Sequence, residues 1–266
     1  MVQSSEFIVR SNQLTNWITE PLNNVITNQV PNTYFQFKQF TIHQEQVAMK
    51  VCTDACILGA WFSTKIQNYA TVLDIGSGTG LLMMMLAQRS QAQIHGIEID
   101  TAAYEQLQEN ASQNDWRKRL KVFSGDARGF PFPVKYDFII SNPPFFQNDL
   151  LSTHEGEQVA KHSKHLTLEA LLEVIAANLQ PHGAFGVLLP YHRWAEFHTL
   201  ATQQQFFLAE KLTVRHSTKH APFRSVLHYS RSQHSSAIDF DLNINRETGG
   251  YTPEFVELLK PYYLYL

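Results

Sequence analysis

The chain is nearly free of cysteine. Cys52 and Cys56 are the only two, too few for a disulfide framework or a thiolate zinc site. Their spacing of four suits one face of a helix, as two reduced, half-buried thiols. No run of about eighteen apolar residues occurs, which excludes a membrane-spanning helix. Residues 1–20 lack the basic start and continuous apolar stretch of a secretory signal, so a cytoplasmic protein is expected. Charge imbalance is also missing. The formal net charge of −3 announces no nucleic-acid partner in bulk. There is no internal repeat and no long low-complexity segment.

What is present is a core's worth of apolar residues. At 266 residues and 44% hydrophobic, the chain can bury one full domain with room for an appendage. Residues 1–33 are rich in Asn and Gln, poor in charge, and carry Pro21 and Pro31. They read as an N-terminal extension, either a short amphipathic element around Leu14, Trp17 and Ile18 or disordered. From Tyr34 onward the texture changes. Strands are expected at 72–76, 94–98, 120–124, 136–141, 184–189, 207–215 and 225–230. Helices are expected at 79–89, 101–110, 167–179 and 192–203. The third of these helices carries Leu168, Leu171, Leu172, Ile175 and Leu179 on one stripe. Strand and helix in alternation imply a mostly parallel sheet covered on both faces. Ligands of such sheets bind at the carboxyl ends of the central strands.

Four consecutive strand ends carry suitable chemistry. The first leads into 74-DIGSGTG-80, where Gly76, Gly78 and Gly80 allow a sharp turn and close backbone approach to a ligand. The helix that follows points free N–H groups into the crevice. A plain tight turn is the alternative for this stretch alone. The second strand ends on Glu98, twenty residues after Gly78, at the spacing from which an acid reaches the hydroxyls of a ribose. The third is followed by 125-GDA-127, placing Asp126 and Ala127 at the crevice. There Asp126 could accept from the exocyclic amine of an adenine, or be a solvated loop acid.

The fourth strand ends in 140-ISNPPFF-146. A polar turn closed by prolines is the ordinary reading of such a stretch. At the fourth strand end of this series, another reading is stronger. Two prolines lock the backbone and would fix the Asn142 side-chain oxygen and the Pro143 carbonyl as paired acceptors for an amine. Phe145 would stack on the ring that bears the amine.

This series resembles the class I S-adenosylmethionine-dependent methyltransferases of the amino-group type. The resemblance implies a Rossmann-like, doubly wound, seven-stranded sheet, mostly parallel with one late antiparallel strand. It also implies S-adenosylmethionine as cofactor, with Glu98 on the ribose, Asp126 facing the adenine, and Asp74 and the glycine turn along the methionyl part. A narrower resemblance covers residues 34–266. The segments 35-FQFKQFTIHQEQVAMKVCTDACILGAW-61, NPPF, 222-PFRSVL-227 and 251-YTPEFVELLKPYYLYL-266 are similar to the bacterial tRNA (adenine-N6)-methyltransferases. That family modifies the adenine next to the anticodon of a valine tRNA. By this match Thr53 and Asp54 are cofactor-side candidates and Lys50 lies nearer the substrate. The chain departs from the family pattern at Cys52 and Cys56, where glycine is common, and at Phe145, where tyrosine is frequent. A phenyl ring stacks as a phenol does, so the last departure leaves the chemistry intact.

A methyl sulfonium is already strongly electrophilic, so the chemistry calls for no metal. Adenine must leave its stack to react, which costs least in a single-stranded loop. Lys38, Lys50, Lys161 and Lys164 are the expected contacts to tRNA phosphates, the last two on a long stretch, 146–165, read as a substrate-facing loop. A further basic cluster, Arg215-His216 with Lys219-His220 and Arg224, is a solvated face unless the fold brings it to the crevice. A protein glutamine amide or the amino group of rRNA guanine is the alternative substrate. A nicotinamide-dependent dehydrogenase leaves NPPF idle, and a non-catalytic RNA-binding module leaves the cofactor set idle.

Overall fold

The computed structural model describes residues 32–45, 47, 49–144, 166–233 and 236–266. The expectations for residues 1–31, for Phe145 and for the 146–165 stretch with Lys161 and Lys164 lie outside them. The described residues belong to one compact unit, Asn32–Leu266, in which the Thr33 carbonyl accepts from the Gln44 N–H at 2.8 Å.

A short antiparallel hairpin comes first, β1 (Tyr34–Gln36) and β2 (Thr41–His43). Helix α1 (Thr53–Ser63) follows, then β3 (Thr71–Ile75), α2 (Leu81–Arg89), β4 (Gln93–Glu98), α3 (Thr101–Ser112), β5 (Leu120–Ser124) and β6 (Tyr136–Ser141). The second half runs α4 (Leu168–Asn178), β7 (Leu179–Pro190), α5 (Trp194–Gln203), β8 (Phe207–Arg215), β9 (Arg224–Ser230), β10 (Ile238–Asn243) and α6 (Pro253–Leu259). The main sheet has the order β10-β8-β9-β7-β6-β3-β4-β5. Every pairing in it is parallel except those made by β9.

The sheet therefore has eight strands where seven were expected. The additional one, β10, lies parallel to β8 at the edge. Its sequence IDFDLN alternates apolar and polar residues, but four of its six residues are exposed. Tertiary pairing holds it: Asp239 meets Lys211 at 3.0 Å and Asp241 meets Arg215. Strand β7 also starts five residues before its expected position. Leu179 already pairs with Tyr136 before the register shifts ahead of Phe138.

Central strands β3, β6 and β7 are buried on both faces, which explains their unbroken apolar runs. On one face lie α1, α2, α3 and α6, with Phe62, Met83 to Leu86, Leu107 and Phe255 in a common core. On the other lie α4 and α5, with Leu171, Leu172, Ile175 and Phe197 against Phe185 and Tyr229. The hairpin and the C-terminal segment, far apart in sequence, pack together. Phe37 bridges to Tyr263, and Phe35 and Phe37 pack their rings against it.

Helix starts are set by local chemistry. Thr167 caps α4 by accepting the Ala170 N–H at 3.1 Å, and Asp100 caps α3 by accepting that of Ala103 at 2.9 Å. Asp100→Ala is expected to cost about 1 kcal/mol. A drop of that size in denaturant unfolding would confirm the cap, and an unchanged midpoint would refute it.

Candidate active site

The carboxyl ends of β3, β4, β5 and β6 surround one cavity of about 540 Å³. Its floor starts at the glycine turn after β3. The N–H groups of Gly76 and Ser77 bind the Ile97 carbonyl at 3.0 and 3.1 Å, which folds the turn against β4. Gly76 and Gly78 have φ of +73° and +53°, and a Cβ on either would meet no neighbouring atom. Only glycine takes up this conformation without strain, and the space beside the turn is left for a ligand.

Glu98 is buried and lines the cavity. One carboxylate oxygen accepts the Gly78 N–H at 2.8 Å, and the other accepts those of Ile99 and Asp100 at 2.9 Å each. The side chain thus ties the β3 turn to the end of β4 as well as facing the ligand space. A carboxylate offers about four acceptor positions, so capacity remains for a hydroxyl. Across the cavity, Asp126 accepts from the Arg128 N–H at 2.9 Å and from its guanidinium at 2.6 to 3.0 Å. The Arg128 hydrogen bonds hold this carboxyl below its ordinary range.

Asn142 and Pro143 close the other side. The Asn142 Oδ1 is buried and accepts from no described residue. Burying an acceptor without a donor costs on the order of 1–3 kcal/mol. Such an atom, fixed by two prolines at the wall of a cavity, is suited to an incoming N–H. Below it, the Ser141 hydroxyl donates to the Ile75 carbonyl at 2.8 Å and clamps β6 to β3.

Of the sequence candidates, Gly76, Gly78, Glu98, Asp126, Ala127, Asn142 and Pro143 line this one cavity. Asp74, Gly80, Thr53 and Asp54 do not. Asp74 is wholly buried beneath the turn, and neither carboxylate oxygen has a hydrogen-bond partner among the described residues. Burial pushes its pKa up to about 8, with the nearby Glu98 charge adding to the rise. Gly80 serves packing, since a Cβ there would lie 2.7 Å from a Leu107 methyl. Asp54, at the start of α1, binds Arg224 at 2.7 Å and faces β9. The two described lysines of the expected RNA set each donate to a main-chain carbonyl, Lys38 to Lys260 at 2.7 Å and Lys50 to Asn32 at 2.9 Å. Cys52 and Cys56 are free thiols, and burial holds the Cys56 pKa up at about 12.

Sequence reading missed Met49, Ile99, Asp100 and Arg128 as lining residues. Met49 and Ile99 are large apolar side chains left 45% and 51% exposed at the cavity. Ile99 directly follows Glu98, a signal available in the sequence. A larger hollow of about 680 Å³ between α1 and β10 holds none of the candidates.

The residues fit an adenosyl amino acid: acids for the sugar and base, apolar walls for the ring, and an open glycine turn beside them. They also fit the comparisons with known proteins. Residues 57–207 match the methyltransferase small domain family. The chain is 42% identical over 237 residues to the tRNA1(Val) (adenine(37)-N6)-methyltransferase of Dyadobacter fermentans, covering 88% of this chain and 98% of the relative. It is 36% identical to that of Photorhabdus laumondii, covering 87% and 95%. Among solved structures, an Agrobacterium tumefaciens protein described as a predicted O-methyltransferase shares the fold, with a TM-score of 0.62 at 16% identity over 77% of this chain and 95% of that one.

Proposed function

Since the chain belongs to the tRNA1(Val) (adenine(37)-N6)-methyltransferase family, we propose that it methylates the N6 amine of the adenine next to the anticodon of a valine tRNA, with S-adenosylmethionine as donor. The observation that carries this reading is the buried Asn142 Oδ1, to which no described residue donates, at the wall of a cavity lined by Glu98 and Asp126. When bound, S-adenosylmethionine supplies a methyl group on a sulfonium. The protein's part is to hold and orient. Glu98 accepts from ribose hydroxyls, Asp126 accepts from the adenine amine of the donor, and Gly76 and Gly78 let the methionyl end lie along the turn.

The substrate amine is a poor nucleophile because its lone pair is delocalised into the ring. Asn142 Oδ1 and the Pro143 carbonyl take its two hydrogens as acceptors, which draws the nitrogen toward a tetrahedral, more nucleophilic shape. Both acceptors are set before substrate arrives, so little reorganisation remains. Transfer leaves the nitrogen with one surplus proton, which passes to water. Phe145 stacks on the substrate adenine in this proposal, and Lys161 and Lys164 contact the RNA. A tRNA substrate places the reaction in the cytoplasm, and no helix among the described residues is long and apolar enough to cross a membrane.

The test is to incubate the protein with labelled S-adenosylmethionine and, separately, total tRNA, rRNA and release factors. Label is expected in tRNA, on N6-methyladenine after digestion. Label confined to rRNA guanine or to a protein amide would replace this substrate with one of the alternatives. Calorimetry should give one donor site per chain, and tight NADH binding in its place would overturn the cofactor.

A further inference from the structure

The basic cluster near residues 215–224 is brought by the fold to the same carboxyl edge as Asn142. In the sheet order, β6 is followed by β7 and then β9. Phe223 immediately precedes β9. Its N–H donates to the Val214 carbonyl at 3.0 Å, and its own carbonyl accepts from Tyr191 at 3.1 Å, just past the end of β7. Phe223 therefore stands about two strand spacings, roughly 10 Å, across the sheet from the β6 end that carries Asn142, and about three residues, again roughly 10 Å, farther out along the strand direction.

Three flat groups are layered there. The His216 ring lies on the Phe223 ring at 4.1 Å between centroids and 5° between planes. The Arg224 guanidinium lies 5.3 Å from the Phe223 centroid, and Asp54 holds it by its Nε at 2.7 Å. Core packing accounts for Phe223, whose ring abuts the main apolar cluster. It does not account for an exposed imidazole laid flat upon that ring.

We infer that the His216–Phe223 stack is a second binding site on this edge, a platform for an unpaired nucleobase of the RNA close to the adenine being methylated. The inference rests on the function proposed above. Loop bases in RNA are bound by stacking on aromatic and imidazole rings, which tolerates any base. Charge is a poor explanation for the site. Arg215 pairs with Asp241, Arg224 with Asp54, and Lys219 lies 3.5 Å from Glu247. Partial burial, then His220 and Arg224, hold the His216 pKa below its ordinary value, which favours the neutral ring. A neutral ring stacks without demanding a phosphate.

The experiment measures methylation of the tRNA substrate by the parent protein, by His216→Ala and by His216→Phe, with calorimetry of the demethylated donor as a check on fold and cofactor site. His216→Ala is expected to lose about 10-fold or more in kcat/KM for tRNA, mainly through KM, with donor-product affinity unchanged. His216→Phe should restore most of the loss. The dependence of RNA affinity on salt should keep its slope in all three, because no phosphate contact is removed. Equal activity of His216→Ala and parent on tRNA would overturn the platform, and so would equal impairment of both variants or a changed salt slope. A parent protein that labels no tRNA would instead overturn the proposed function.

Discussion

Asn142→Ala is expected to lower turnover about 100- to 1,000-fold, the usual cost of losing one preorganised hydrogen-bonding group at a reacting centre. Its effects elsewhere should be small. The Oδ1 acceptor has no donor among the described residues, so removing it breaks no hydrogen bond that they make to this oxygen, and the unfolding midpoint should hold or rise slightly. Donor affinity should also hold, since the lost contact is to the substrate amine and strengthens in the transition state. Asn142→Asp keeps an acceptor and should retain part of the activity, reduced by a new charge in a cavity already containing Glu98, Asp100 and Asp126. Single-turnover rates separate chemistry from binding here. A folded Asn142→Ala protein that methylates tRNA at the parent rate would reduce NPPF to a turn.

The second large effect concerns Asp74. Its carboxyl is wholly buried, neither oxygen has a hydrogen-bond partner among the described residues, and the pKa is raised from 3.8 to about 8. The Ser77 hydroxyl, at 2.9 Å, donates to the Asp74 main-chain carbonyl. A carboxyl raised in the folded state favours folding in its protonated form. Its contribution is therefore complete below about pH 4 and is lost progressively as pH rises toward 8. At 1.36 kcal/mol per unit, the loss is on the order of 6 kcal/mol. Asp74→Asn cannot ionise, so its stability should fall by that much less between pH 4 and pH 9. Denaturant unfolding of both proteins across this range measures the difference in slope directly. Parallel curves would mean that Asp74 is neutralised by something other than its own proton.

Asp74 also marks where position along the sequence and position in the fold part company. The order of Asp74, Gly78, Glu98, Asp126 and Asn142 along the chain already implied a donor-binding crevice, and Gly78, Glu98, Asp126 and Asn142 do line one cavity. Position after a strand dictates that much, because parallel strands present their carboxyl ends to a single edge. It does not dictate which way a side chain points. Asp74 lies inside β3, where the sheet and its covering helices bury the side chain, while Gly76 lies past the strand's end in the turn that meets the cavity.

Periodicity made the central strands and four of the helices legible, since buried runs and apolar stripes are properties of neighbouring residues. Strand β10 was not legible. Four of its six residues are exposed, and it is held by pairing with β8, which includes Lys211 and Arg215 opposite Asp239 and Asp241. Asp54 read as a cofactor residue because the KxxTD segment stands before the glycine turn, and Arg224, 170 positions away, claims it. Met49 and Arg128 could be placed at the cavity only by the fold. The sequence by itself determined the architecture, the order of the chemistry along the sheet edge and the kind of reaction, because these follow from local pattern. Tertiary structure alone decided which acid lines the cavity, which is paired and which is buried with no partner among the described residues, because each of those outcomes depends on residues that the chain brings together from far apart.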